Sequence, residues 1–288
     1  MEIVKKISEI REAVKAMKKQ DVTIGFVPTM GYLHKGHLSL VKHSLAECCK
    51  TVVSIFVNPT QFGPSEDYDR YPRDPVRDAE LLKKEGVDLL FMPSVEEMYG
   101  KDFFTSVEVS SLAEKLEGSL RPGHFRGVCT VVCKLFNIVT PDNAYFGWKD
   151  AQQLVIIQKM VNDLNIPVKV KGCPTVREPD GLAASSRNIY ISADKRKNAV
   201  ALYKGLSKIK EMVENMGITA TDVLLTEGRE SIERFSGVEL QYLEIVEMDN
   251  LNPIKKVEDR ALVLGAIKVS GVRLIDNMMV EMKRVTSQ

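Results

Sequence analysis

The sequence has few cysteines, almost no excess charge and no long apolar run, and each shortage excludes a class of protein. Its five cysteines form no Cys-x-x-Cys pair, so neither a disulfide framework nor a zinc site is indicated. With 40 basic and 39 acidic residues the net charge is +1, and no overall field favours nucleic acid or an acidic membrane. No apolar run reaches membrane-spanning length. We therefore expect no nucleic-acid partner, no membrane partner and a reducing, cytoplasmic location.

Apolar residues near the N-terminus recur at helical spacing between charged ones. This pattern predicts an amphipathic helix rather than a signal or transit peptide. The apolar positions are Ile3, Ile7, Ile10, Val14 and Met17.

The first part of the chain alternates between strand and helix patterns. A hydrophobic content of 44% over 288 residues is enough for a sizeable core and about two domains. Apolar runs at 22–27, 51–57 and 87–92 are separated by helical patterns at 36–49 and 75–85. This alternation predicts an α/β fold in which helices cover both faces of a parallel sheet. Ligand-bearing loops are then expected at the carboxyl ends of the strands.

The pattern changes in the last third of the chain. A long helix is predicted near 193–216, and strands follow near 239–247, 261–268 and 272–281. This order predicts a smaller α+β unit. We place the boundary so that residues 1–175 form the first domain and residues 176–288 the second.

The segment from Pro28 to Leu38 carries the strongest chemical signal. It joins the end of a predicted strand, a glycine turn and two histidines that open a helix. His34 and His37 are three residues apart, so they share one helix face. At a helix start, both imidazoles would lie near free backbone N–H groups and the positive end of the dipole, where a phosphate binds. By themselves the two histidines are equally compatible with a solvated surface pair or a fragment of a metal site.

Five further segments accompany this one, and together they resemble a known family. The segment Pro28-Thr-Met-Gly-Tyr-Leu-His-Lys-Gly-His-Leu38 resembles the His-x-Gly-His signature of the nucleotidyltransferase superfamily. Within that superfamily the longer string is similar to the pantothenate synthetase (pantoate:β-alanine ligase) family. The other segments that resemble it are Ile55–Gly63, Asp69–Arg73, Arg121–Gly127, Tyr145–Gln153 and Pro174–Asn188.

The resemblance implies a fold and a reaction. The fold is a Rossmann-like domain at 1–175 that binds nucleotide and pantoate, with a smaller C-terminal α+β domain at 176–288 that covers the active site. The reaction is the ATP-dependent condensation of pantoate with β-alanine to pantothenate, AMP and pyrophosphate, through a pantoyl-adenylate intermediate. The resemblance also implies Mg²⁺ as a cofactor beside the ATP substrate, and a homodimer.

The resemblance assigns roles to individual residues. His37 would be the proton donor to the charge that develops on the leaving oxygens, with His34 and Lys149 as the other catalytic groups. Gln61 would bind both pantoate and β-alanine, and Gln153 pantoate. The segments that would bind ATP contain Met30, Gly31, Tyr32, Leu33, His34, Lys35, Gly36, His37, Gly147, Trp148, Lys149, Asp150, Val176, Ala184, Ser185, Ser186 and Arg187.

Several assignments keep a structural alternative. Asp78 is the candidate magnesium contact, although Arg77 stands where some relatives carry a second acid. Arg121 and His124 either help to close the site or make a structural loop contact. The segment 63–75 is either a lid or a solvated connection.

The chain departs from the family pattern at two positions. Trp148 stands where many relatives have Glu, and Ala184 stands where Met is common. Trp148 would either pack beside adenine or cover the nucleotide pocket.

Two other functions compete with the leading one. One is a nucleotidyltransferase that adenylylates a phosphorylated acceptor, which would need extra cations in the acceptor pocket. The neutral amides of Gln61 and Gln153 favour a less charged acceptor. The other is a nonenzymatic nucleotide-binding protein on the same fold, which fold alone does not exclude.

Overall fold

The protein consists of two compact units in a computed structural model that describes residues 1–64 and 66–283. The first unit contains Met1–Trp148 and Gln152–Pro174. The second contains Lys149–Ala151 and the chain from Thr175 onward.

The first unit is built on a parallel six-stranded sheet, which confirms the predicted α/β class. The strands form because their apolar runs are buried on both faces: Phe26, Val52 and Leu89 have no exposed surface. In chain order the elements are β1 Glu2–Val4, α1 Ile7–Lys18, β2 Ile24–Thr29, α2 Lys35–Glu47, β3 Lys50–Ile55, α3 Pro75–Glu85, β4 Leu89–Phe91, α4 Val95–Met98, α5 Glu117–Leu120, α6 His124–Val139, β5 Asn143–Gly147, α7 Ala151–Asp163 and β6 Lys169–Cys173.

The order of the strands locates the ligand-binding edge of this sheet. The sheet runs β1-β4-β3-β2-β5-β6, so the chain leaves β2 toward β3 on one side and returns to β5 on the other. In open α/β sheets, ligands bind beyond the carboxyl ends of the strands at such a reversal. The carboxyl ends of β2 and β5 are therefore the expected place for a nucleotide.

The second unit contains an antiparallel three-stranded sheet and three α-helices within its described residues. Ile209, Leu224 and Val263 belong to the core between helices and sheet, and none of the three is exposed. The elements are α8 Arg196–Ala199, α9 Ala201–Glu214, α10 Thr221–Glu233, β7 Val238–Val246, β8 Arg260–Val269 and β9 Val272–Glu281.

The predicted elements and the observed ones differ in three places. The single helix expected near 193–216 begins only at Arg196 and divides into α8 and α9 at Val200. Helix α10 was not predicted because charged residues interrupt its apolar pattern, and Leu224 and Ile232 are its only buried large apolar side chains. The predicted N-terminal helix included Ile3, but α1 begins at Ile7 and Ile3 lies in strand β1. Three residues are too few for the alternation of a strand to be recognised in the sequence.

None of the helices in the described part of the chain combines the length and the apolar character required to cross a bilayer.

Candidate active site

The turn between β2 and α2 is held by the side chain of Thr29, at the end of β2, and lies close to β3. The hydroxyl of Thr29 donates to the carbonyl of Ser54 at 2.9 Å and accepts from the N–H of Gly31 at 3.1 Å. Gly31 has φ +84°, and a Cβ at this position would lie 2.9 Å from Cγ2 of Ile55. Only glycine fits this combination of backbone angle and close approach. Leu33, the last residue before the two histidines, is buried.

His34 and His37 form a close pair at the start of α2, with ring centroids 4.1 Å apart and ring planes tilted by 38°. His34 is the N-cap, and its Nδ1 accepts from the N–H of Gly36 at 3.1 Å. Nδ1 of His37 accepts from the N–H of His34 at 3.4 Å. Because backbone N–H groups only donate, the neutral form of each imidazole carries its proton on Nε2. The pair thus presents two N–H donors that are fixed by the backbone of their own helix.

The imidazoles were expected to lie near backbone N–H groups at the helix start, and each accepts from one of them, His37 from His34 and His34 from Gly36. The imidazoles therefore replace these N–H groups as donors at the helix start. The binding of a phosphate there stays a prediction. Lys35, which is exposed, adds a positive charge in the first turn.

Gln61 lies in a network of neutral groups beyond the end of β3. It closes the short 3₁₀ helix Pro59–Gln61 and is 8% exposed. Its Oε1 accepts from Nδ2 of Asn58 at 3.0 Å, and its Nε2 lies 3.3 Å from Sδ of Met30. Oδ1 of Asn58 in turn accepts from the hydroxyl of Tyr99 at 2.8 Å. The structure thus brings together Met30 and Gln61, which the sequence assigned to different substrates.

A chain of three side chains fixes the backbone of Gln61. Glu66 accepts from Arg121 through both carboxylate oxygens, at 2.7 and 2.6 Å. Nη1 of Arg121 lies 2.9 Å from Nε2 of His124, and Nδ1 of His124 lies 2.8 Å from the carbonyl oxygen of Gln61. A guanidinium only donates, so Nε2 of His124 accepts and Nδ1 donates its proton to Gln61. Burial, aided by the charge of Arg121, lowers the pKa of His124 from 6.5 to about 4.

Helix α6 approaches this network so closely that it needs a glycine. A Cβ on Gly127 would lie 2.3 Å from the carbonyl oxygen of Thr60, and the carbonyl of Gly127 accepts from Nδ2 of Asn58 at 3.1 Å. The segment Arg121–Gly127, one of those that resemble the family, therefore contacts the loop that contains Gln61.

The predicted lid at 63–75 is described except for Ser65. Within it Arg73 donates to the carbonyls of Tyr68 and Tyr71, each at 2.9 Å, and its guanidinium lies 5.3 Å from the ring centroid of Tyr68. The segment is thus organised around one arginine. Whether it closes over a ligand stays a prediction.

The end of β5 places Gly147 and Trp148 beside the end of β2. The indole of Trp148 lies against Gly172 of β6, where a Cβ would come within 2.7 Å of Nε1.

At the start of α7, the amide of Gln152 is buried and bonds the backbone of Leu112, Lys115 and Glu117. Its neighbour Gln153 is partly exposed. This difference separates a structural glutamine from the predicted pantoate ligand.

Lys149 and Asp150, in the second unit, are adjacent polar groups whose backbone is anchored to β9. Nζ of Lys149 lies 3.3 Å from Oδ1 of Asp150. Nδ2 of Asn277 donates to the carbonyl of Lys149 at 2.9 Å. The neighbouring carboxylate of Asp276 bonds both terminal nitrogens of Arg177, at 2.6 and 2.9 Å. Burial raises the pKa of Asp276, and the bonds from Arg177 oppose that rise.

The remaining predicted nucleotide ligands lie on either side of Arg177 in the same unit, Val176 before it and residues 184–187 after it. The N–H of Ala184 donates to the carbonyl of Val176 at 2.9 Å, so these two positions are backbone neighbours. Ser185 caps the 3₁₀ helix Ser186–Tyr190 by accepting from the N–H of Arg187 at 3.3 Å. Ser186 is buried, whereas Ser185 and Arg187 are partly exposed.

The carboxylate of Asp78, the candidate magnesium contact, is buried and bonded to the backbone. Its carboxylate is 1% exposed, and its oxygens accept from the N–H groups of Tyr32 and Leu33 at 2.6 and 2.8 Å. Nη1 of Arg77 lies 3.5 Å from Oδ1. In residues 1–64 and 66–283, no three or more His, Cys, Asp or Glu side chains are grouped to hold a metal ion. The magnesium assignment stays a prediction without a supporting contact.

Sequence reasoning missed several residues that organise these segments. Asn58 lies in Ile55–Gly63, one of the segments that resemble the family, but the sequence did not indicate that its amide bonds Gln61, Gly127 and Tyr99. Arg177 and Asp276 are 99 residues apart and Asn277 and Lys149 are 128 apart, and no local pattern links positions at such separations.

Comparison with known proteins agrees with the resemblance. A family model described as pantoate-beta-alanine ligase matches residues 2–279. A pantothenate synthetase of Caldicellulosiruptor bescii is 54% identical over 283 residues, which cover 98% of this chain and all of that protein.

Solved structures extend the similarity to the fold. The pantothenate synthetase of Thermus thermophilus has a TM-score of 0.92 at 48% identity, covering 96% of this chain and 99% of that one. The pantoate-beta-alanine ligase of Francisella tularensis, solved in complex with β-γ ATP and β-alanine, has a TM-score of 0.80 at 36% identity and covers 97% of each chain.

Proposed function

The chain belongs to the pantoate-beta-alanine ligase family, and on that premise we propose that it condenses pantoate with β-alanine through a pantoyl-adenylate intermediate. A carboxylate is a poor electrophile, and its oxygen is a poor leaving group. Attack of the pantoate carboxylate on the α-phosphorus of ATP corrects both defects and releases pyrophosphate. The amine of β-alanine then attacks the acyl carbon, and AMP leaves with the bridging oxygen.

The observation that carries this proposal is the imidazole pair at the end of β2. Both Nδ1 atoms accept from backbone N–H groups, so the Nε2 protons of His34 and His37 are oriented before any ligand binds. Preorganised donors stabilise charge that develops on phosphate oxygens in the transition state. His37 acts as proton donor to the leaving oxygens, and His34 binds the triphosphate beside it.

The other ATP contacts follow from the chemistry of the side chains. The ammonium of Lys149 supplies a compact charge to phosphate oxygens. Ser185, Ser186 and Arg187 supply two hydroxyl donors and a permanent cation. Backbone and apolar surface at Met30, Val176 and Ala184 contact the nucleotide. We expect Mg²⁺ to arrive bound to the triphosphate, since a hard cation prefers phosphate oxygens.

The groups around Gln61 favour a weakly charged acceptor acid. Gln61 contacts the amide of Asn58 and the thioether of Met30, and Arg121, which reaches the backbone of Gln61 through His124, is paired with Glu66. Gln61 and Gln153 orient the hydroxyl and carboxylate of pantoate without an ion pair that would make the nucleophile inert. A phosphorylated acceptor would need additional cations at this place.

Separation of the two half-reactions tests the proposal. ATP and pantoate with Mg²⁺ should release pyrophosphate before β-alanine is added, and AMP should appear only afterwards. With ¹⁸O in the pantoate carboxylate, one labelled oxygen should appear in the phosphate of AMP. Label in inorganic phosphate with ADP as co-product would instead demonstrate an acyl phosphate and refute the adenylate. The homodimer and the cytoplasmic location are further parts of the proposal, tested by sedimentation and by localisation.

A further inference from the structure

Arg77 and Asp78, at the start of α3, hold the turn that precedes the two histidines. Oδ2 of Asp78 accepts from the N–H of Tyr32 at 2.6 Å, and Oδ1 accepts from the N–H of Leu33 at 2.8 Å. Nη2 of Arg77 donates to the carbonyl of Leu33 at 3.0 Å. The peptide groups on both sides of Leu33 are therefore bonded to these two adjacent side chains.

We propose that Asp78 and Arg77 are positioning residues that fix the turn presenting His34 and His37, and that Asp78 does not ligate magnesium. We call this carboxylate and guanidinium pair the turn clip. The inference rests on the proposed function, because it assigns the clip to the adenylation step.

The turn needs such a clip because its backbone is strained. Tyr32 has φ +48°, a left-handed conformation that is unfavourable for a residue with a Cβ. The buried N–H of Leu33 would also lose its partner without Asp78. A carboxylate that accepts from two successive N–H groups offsets both costs. The guanidinium of Arg77 also lies 5.3 Å from the ring centroid of Tyr32, so the same pair contacts the side chain of the strained residue.

The clip is one peptide away from the histidines. His34 follows Leu33 directly, caps α2, and donates its backbone N–H to Nδ1 of His37. A shift of the Leu33 peptide therefore moves the backbone donor that orients His37. Misplacement of a catalytic group by about 1 Å costs as much as 100-fold in rate.

The substitution Asp78→Asn tests the proposal with little change in size. An amide has one acceptor oxygen, and its NH₂ would face a backbone N–H that accepts nothing. We expect the rate of pyrophosphate release from ATP and pantoate to fall by about 10- to 100-fold. The Mg²⁺ concentration for half-maximal rate and the KM for pantoate should stay unchanged. Asp142→Asn is the matched control, since Asp142 also accepts from a backbone N–H, that of Ile24 at 2.7 Å, but at the amino end of β2, and it should leave the rate nearly unchanged.

A double-mutant cycle with His37→Ala distinguishes positioning from general destabilisation. If the clip acts through the histidines, Asp78→Asn should lower the rate much less in the His37→Ala protein than in the wild type. Equal losses in both backgrounds would overturn the proposal. So would a large rise in the Mg²⁺ requirement with recovery at high Mg²⁺, which a metal ligand predicts.

Arg77→Ala keeps the test decisive if Asp78→Asn does not fold. Arg77 is exposed, so its loss should leave folding intact while removing the bond to the carbonyl of Leu33. A lower rate that is again less than additive with His37→Ala supports the clip, and an unchanged rate overturns it. Wild-type protein measured in parallel separates the two hypotheses, because a wild type that releases no pyrophosphate refutes the proposed function itself.

Discussion

Protonation of His124 should destabilise the first unit as the pH falls below 6.5. The folded unit requires the neutral ring, since Nε2 accepts from Arg121 while Nδ1 donates to the carbonyl of Gln61. A proton on Nε2 would face the guanidinium at a distance of 2.9 Å. Burial and this charge lower the pKa of His124 to about 4 in the folded state, against 6.5 for an ordinary histidine.

The size of the effect follows from the two pKa values. The unfolded chain binds a proton at pH 6.5, whereas the folded unit does not until about pH 4. Each pH unit within that window lowers the free energy of unfolding by about 1.4 kcal/mol through this one side chain. The stabilisation is thus complete above pH 6.5 and is lost as the pH falls to 4, about 3 kcal/mol in all.

Urea unfolding followed by the fluorescence of Trp148 measures this effect in the first unit, because Trp148 is the only tryptophan and belongs to that unit. His124→Gln is the comparison, since its amide keeps one acceptor and one donor but does not titrate. Between about pH 6 and 5 the free energy of unfolding should fall more steeply for the wild type, by about 1.4 kcal/mol per pH unit. Equal slopes for the two proteins would refute the neutral, buried assignment of His124.

The remaining predictions concern the site and the thiols. His37→Ala should lower the adenylation rate by about 100-fold, the scale of one preorganised donor, with pantoate binding retained; a near-normal rate in a folded protein would contradict the role. Lys149→Ala should impair ATP use while the unfolding midpoint hardly changes, and the reverse result would indicate a structural ion pair. Gln61→Ala and Gln153→Ala should each raise the KM for pantoate with ATP binding retained, measured by ATP titration of Trp148 fluorescence. Iodoacetamide at neutral pH should modify Cys49 first, because this thiol is exposed and hydrogen bonding to Thr23 lowers its pKa. Burial raises the pKa of Cys129 to about 12, so that thiol should react slowly. Mass spectrometry identifies the modified cysteine.

The sequence predicted the parts of the site whose role follows from residue type and strand order. The histidines at a helix start after the first long strand were visible as a pattern, and the structure confirms that start at Lys35, with His34 as N-cap. Which ring nitrogen faces the backbone was not predictable, because it depends on cap geometry rather than on spacing. The binding of a phosphate at this helix start stays a prediction.

Trp148 and Asp78 show a second limit of sequence reasoning. The sequence left Trp148 between two roles at the nucleotide, and its contact with Gly172 depends on the pairing of β5 with β6. Asp78 carried the chemistry of a metal ligand, but its carboxylate bonds a turn 45 residues earlier in the chain. In both cases the residue type is compatible with a ligand, and only a long-range contact reveals another partner.

Such long-range contacts also explain how a strained segment can hold reactive groups in place. The turn before His34 is held from α3, the backbone of Gln61 from the start of α6, and the backbone of Lys149 from β9. Each support comes from a regular element whose own position is set by a buried core, so it moves little when a ligand binds. Loss of a supporting side chain should therefore lower kcat with little change in the KM values of the substrates. Loss of Gln61 or Gln153 should instead raise the KM for pantoate. The two classes of residue are separable by comparing kcat with KM, because a positioning residue acts on the transition state and a binding residue acts equally on both states.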